Sequence, residues 1–113
     1  LRPADLAVMA AMNLPVVAVA RRPEVAIIPT GDELVQPGEE PRDDQIVAST
    51  GVALKAMAEE AGAVVRLLPI ARDSAASLRA VLDLAAGADL VVTIGGASVG
   101  DHDLVARVAG EAG

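Results

Sequence analysis

Apolar and polar positions fall in blocks along this chain, and the blocks switch repeatedly between short continuous runs and helical spacing. After Pro3, the apolar residues Leu6, Met9 and Met12 or Leu14 recur at helical spacing. Pro is tolerated in a first helical turn, so a helix is predicted over 3–12 with Asn13 as its stop. The β-branched run at 16–20, followed by Arg21-Arg22-Pro23, predicts a short strand at a sheet edge ahead of a stronger strand over 25–28. Residues 36–44 are almost wholly polar with two Pro and one Gly, which predicts an exposed loop able to flex over a site at 30–33.

Over 46–61 the residues Val47, Leu54, Met57, Ala58 and Ala61 share one helical face, Lys55, Glu59 and Glu60 lie elsewhere, and Gly62 supplies a stop. A strand follows over 63–70, then a helix capped by Asp73-Ser74 and running to Leu84 or Ala86. The run 88–94 is apolar enough to read as a strand buried on both faces, and a helix over 101–108 follows it. Strands alternating with helices predict an α/β fold: a three-layer α/β/α arrangement around a mostly parallel sheet with right-handed crossover helices.

Length and composition narrow the class. The 113 residues, 53% of them hydrophobic, fit a single domain with one core. The chain ends without the closing strands usual for such a sheet, so 1–113 is expected to be one domain of a longer multidomain protein. Without Phe, Tyr or Trp, bases have no aromatic platform on which to stack, and a formal charge of −7 opposes a phosphate-backbone partner. Nucleic acid is therefore excluded. The longest apolar runs are short and cut by Pro, Asp or Arg, so a membrane-spanning segment is excluded too, and no signal peptide is visible. Zero cysteines rule out disulfides and thiolate chemistry and suit a reducing, cytoplasmic setting.

Two strand-to-turn exits carry the candidate chemistry. The first, Thr30-Gly31-Asp32-Glu33, ends an apolar strand in glycine followed by two acids, a place where carboxylates can hold a hydrated Mg²⁺ against phosphate oxygens. The same residues are equally compatible with an ordinary turn. The second, Gly95-Gly96-Ala-Ser98-Val-Gly100-Asp101-His102-Asp103, can wrap an anion in main-chain N–H groups at the positive end of a helix. Its plainer reading is a tight strand-to-helix connection capped by Ser98 or Asp101. It has neither the spacing nor the Lys of a phosphate-binding P-loop. Asp101 reads best as a cap, Asp103 is the more open case, and His102 reads as an exposed imidazole between two acids. Gln45, Ser49 and Thr50 stand at the start of the longest helix, where capping is the favoured role and anion contact the alternative. Arg66, Arg72 and Arg79 are scattered and form no basic patch.

In combination, the segments 23–35, 44–50 and 95–103 resemble the MoeA-type molybdopterin molybdotransferases, specifically their molybdopterin-binding domain, which also occurs as the E domain of gephyrin. The likeness covers nearly the whole chain, in order and at family spacing. It implies a role in molybdenum cofactor biosynthesis: binding adenylylated molybdopterin and contributing to Mg²⁺-dependent insertion of molybdate with release of AMP. The resemblance strengthens a catalytic role for Asp32 and Glu33 and ligand contacts by Thr30, Gly31, Gly95, Gly96, Ser98, Gly100, Ser49 and Thr50, with Asp32 and Asp103 toward the metal. It further implies a homodimeric parent whose cleft is completed by a neighbouring domain, so that the fragment alone is expected to be inactive. The site so read holds no Lys or Arg of its own, so a divalent cation would bridge its acids to a polyanionic substrate.

Two positions depart from the pattern: Asp44 stands where the family usually has Gly, and Thr50 where it has Asn, which removes an amide able to bond in two directions. The rival readings are a MogA-type molybdopterin adenylyltransferase, against which Ser98-Val-Gly-Asp-His-Asp103 argues, and a CinA-type nucleotide hydrolase that diverges at the same turn. A non-catalytic scaffold domain of the same fold is the third.

Overall fold

The computed structural model describes residues 1–95 and 102–111. Its centre is strand β1 (Glu24–Pro29), whose residues from Val25 onward are all buried. β1 pairs in parallel with β4 (Val64–Leu67) on one side and β5 (Leu90–Ile94) on the other, giving the order β4-β1-β5. A second, two-stranded parallel ladder joins β2 (Leu34–Val35) to β3 (Ile46–Val47). The helices are α1 (Pro3–Ala11), α2 (Thr50–Glu60), α3 (Ala75–Leu84) and α4 (His102–Glu111).

Alternate residues of β1 face opposite layers. Ala26 and Ile28 pack with Ala71, with Leu78, Val81 and Ala85 of the α3 region, and with Val108 of α4. α2 packs on the other face, where Gly51 lies close to Pro29, Leu67 and Ile94. This is the expected parallel α/β sheet with helices on both faces.

Local signals place several boundaries. Ser74 caps α3, its hydroxyl accepting from the Ser77 N–H at 3.2 Å. α2 ends in a paired C-terminal motif at Gly62 (φ +98°): the Gly62 N–H bonds Glu59 O and the Ala63 N–H bonds Ala58 O. Asn13, at φ +59°, ends the α1 region.

Four expectations are corrected. Residues 16–20 form no strand; Val16 is 85% exposed, and β propensity without a neighbouring backbone to pair with leaves the segment irregular. The helix expected from 46 begins at Thr50, because the Ile46 N–H bonds Glu33 O and the Ala48 N–H bonds Val35 O, committing 46–48 to a ladder. β5 is not buried on both faces: it is an edge strand with Leu90 54% exposed. Ser49 precedes α2 in αR geometry, and its side chain makes no capping bond, while the Gln45 side chain accepts from the Arg42 N–H instead.

Candidate functional site

A parallel sheet brings all its carboxyl ends to one edge, and that edge gathers the candidate residues. Thr30, the residue after β1, is buried; its N–H bonds Ile94 O at 2.6 Å and its hydroxyl donates to the same oxygen at 3.1 Å. The hydroxyl thereby ties the end of β1 to the end of β5. Gly95, at φ +126°, then passes so near that a Cβ there would sit 2.5 Å from Thr30 Oγ1 and closer still to its carbonyl oxygen. Only a residue without a side chain lets the two turns meet.

The third strand end closes the other flank. Thr30 bridges Ala71, and the Gly31 N–H bonds Ala71 O at 3.0 Å. Beyond Ala71 the chain turns back onto the acidic turn. The Asp32 N–H donates to Asp73 Oδ2 at 3.2 Å, and the Asp73 N–H donates to Asp32 Oδ1 at 3.0 Å. Arg72 Nη1 donates to the carbonyls of Gly31, Asp32 and Leu34 at 3.3, 3.2 and 2.9 Å. Glu33 is exposed and its carboxylate folds back over Gly31.

The structure therefore brings together Thr30, Gly31, Asp32, Glu33 and Gly95, with Ser49 and Thr50 at the start of α2 on the same end of the sheet, where Gly51 packs on Pro29 and Ile94. Gly96, Ser98, Gly100 and Asp101 lie outside the described residues, as do the side chains of His102 and Asp103, whose backbones open α4. Two neighbours of the site were missed by sequence reasoning. In the sequence Asp73 reads only as a cap and Arg72 as one of three scattered arginines, so the expectation that this edge holds no Arg is corrected. The available signal was their position just after the third parallel strand, at the edge where such sheets build their sites.

The donors at this edge suit a hard cation in kind, being carboxylate and carbonyl oxygens. Among the described residues no group of three or more His, Cys, Asp or Glu side chains is gathered for a metal ion. Mg²⁺ commonly takes one or two carboxylates and completes its shell with water and substrate phosphate. Asp32 fits that pattern: Oδ1 is engaged by Asp73, and Oδ2 accepts no hydrogen bond among the described residues.

Residues 26–113 match the family model described as "Probable molybdopterin binding domain". The chain belongs to this family of molybdopterin-binding domains. It is 42% identical over 109 residues to the molybdopterin molybdenumtransferase of a Nostoc species, covering 96% of this chain and 25% of that protein. Against molybdopterin molybdenumtransferase 2 of Mycobacterium tuberculosis the identity is 39% over 111 residues, covering 97% and 27%. The crystal structure of the molybdopterin biosynthesis MoeA protein from Pyrococcus horikosii superposes with a TM-score of 0.80 at 38% identity, over 98% of this chain and 27% of that one. The chain thus spans about a quarter of the length of these relatives. The MoeA-type resemblance and its parallel α/β fold are borne out, and a part in molybdenum cofactor biosynthesis follows from the family. No described helix is long and apolar enough to cross a membrane.

Proposed function

We propose that this chain forms the pterin-holding unit of a cytoplasmic molybdopterin molybdotransferase, as one domain of a longer, homodimeric protein. The substrate is adenylylated molybdopterin, and the reaction inserts molybdate with release of AMP. The observation that carries this reading is the union of the two turns: Thr30 and Gly95 are locked edge to edge, so the acids of the first turn flank the start of the glycine turn. Relatives named molybdenumtransferases favour this reading over the adenylyltransferase alternative.

Each part of the edge has a task in it. Asp32 and Glu33 sit beside the scissile pyrophosphate, where a carboxylate can orient the attacking water or accept its proton. Main-chain N–H groups of the second turn receive substrate or molybdate oxygens, and Ser49 and Thr50 offer hydroxyls from the start of α2. Mg²⁺, held by Asp32 with Asp103, would neutralise the charge that develops on the phosphate oxygens. The rest is binding and orientation, which the paired strand ends make rigid.

Calorimetric titration of adenylylated molybdopterin into the chain, with and without Mg²⁺, tests the proposal. Binding that requires Mg²⁺ and weakens about tenfold in Asp32→Asn, equal to about 1.4 kcal/mol, is the expected result. Mg²⁺-independent binding of equal strength in wild type and variant would remove Asp32 from the metal site.

A further inference from the structure

Three candidates stand out beyond the site residues already named: the exposed apolar arm before β1, the groove beside the edge strand β5, and the guanidinium of Arg72 beneath the acidic turn. Neither of the first two carries anything that identifies an occupant. Arg72 carries a definite geometry. Its Nη1 is shared by three carbonyls of one five-residue turn, all at 2.9–3.3 Å.

Carbonyl oxygens that converge on one point repel each other, and here those of Gly31, Asp32 and Leu34 converge on Nη1. A cation at that point offsets the repulsion among the carbonyls, and the planar guanidinium supplies it. The neighbouring Asp73 adds two reciprocal hydrogen bonds with Asp32. Arg72 is itself anchored at its backbone, its N–H donating to Ser77 Oγ at 2.9 Å in the first turn of α3.

We infer that Arg72 is a positioning residue for the Thr30–Leu34 turn, setting the orientation of the Asp32 and Glu33 carboxylates without touching the substrate. The inference deepens the proposed pterin site and rests on that reading for its consequence in binding. A misplaced turn costs affinity because the carboxylates no longer meet the phosphate and its cation in the right geometry. Arg72 differs in this from Arg66, whose guanidinium bonds Leu84 O, Ala85 O and Ala86 O and so closes the C-terminal end of α3, away from the acidic turn.

The test compares wild type with Arg72→Gln and Arg72→Lys, using Arg79→Gln as a remote loss of one arginine. Three quantities are measured: backbone amide chemical shifts, Tm, and the dissociation constant for adenylylated molybdopterin in Mg²⁺. Expected in Arg72→Gln are shifted amides over 31–34 and a Kd raised about tenfold or more, as for a small misplacement of binding groups. Arg72→Lys restores part of the affinity because the ammonium keeps the charge but not the planar fork. Arg79→Gln leaves Kd within about twofold whatever its Tm. Unshifted amides over 31–34 in Arg72→Gln overturn the inference, as does a Kd loss that merely tracks Tm across all variants. A full-length parent protein that binds no pterin overturns the proposed function instead, and the amide shifts then decide the positioning role by themselves.

Discussion

β1 and β5 carry nearly the same kind of sequence, Val-Ala-Ile-Ile against Leu-Val-Val-Thr-Ile, and meet in direct register from Val25 with Leu90 to Pro29 with Ile94. One is the buried centre of the sheet and the other its exposed edge. Composition records that a segment suits a strand. It does not record how many neighbours the strand will have, because that is decided by residues distant in the chain.

Substitutions on the two strands should separate these environments. Ile28 is fully buried against α3 and α4, so Ile28→Ala leaves a cavity and should cost about 2–5 kcal/mol in urea unfolding. Leu90→Ala, at a site more than half exposed, should cost under about 1 kcal/mol. Equal losses would mean that the edge of β5 is covered in solution.

An effect between those two is expected where the strands end together. Gly95→Ala forces a Cβ against the Thr30 carbonyl at a left-handed φ, and should cost on the order of 2 kcal/mol in the same unfolding measurement. It should also weaken pterin binding by separating the two turns. Stability and binding both unchanged would show that Thr30 and Gly95 are not held together.

The smallest effect belongs to the opposite ends of the same strands. Arg21 donates to Asp89 at 2.7 and 2.5 Å, and the Glu24 N–H donates to Asp89 at 2.8 Å. These contacts, the Arg21 hydrogen bond foremost, hold the Asp89 carboxyl below its ordinary value. The folded state therefore binds this proton less readily than the unfolded state does. Its stabilisation is present above the ordinary carboxylate pKa of about 3.9 and is lost as pH falls through the lower folded value. Asp89→Asn should lower Tm slightly at pH 7, and the difference from wild type should narrow as pH falls below the ordinary carboxylate value. A difference constant across that range would deny the ion pair its part.

Much of the site was legible because it is local. Thr30-Gly31-Asp32-Glu33 and the glycines from Gly95 announce themselves as turns, and an alternating fold places such turns at one edge of the sheet. Arg72 was not legible, because an arginine's role depends on which carbonyls come within reach of its guanidinium. Those belong to residues 38 to 41 positions earlier in the chain. The β2–β3 ladder was missed for a similar reason. Ile46 and Val47 fit the helical face that follows them as well as they fit a strand, and only the proximity of Leu34 and Val35 decided between the two.

Short-range chemistry, then, determined the helices after Ser74 and before Gly62, the strand character of β1 and β5, and the family motifs at the turns, since each rests on residues a few positions apart. Tertiary structure decided the strand order, the exposed edge of β5, the meeting of Thr30 with Gly95, and the placing of Arg72 under the acidic turn. Each of those needs backbone from distant parts of the chain to arrive at one place, and long-range packing alone brings it there.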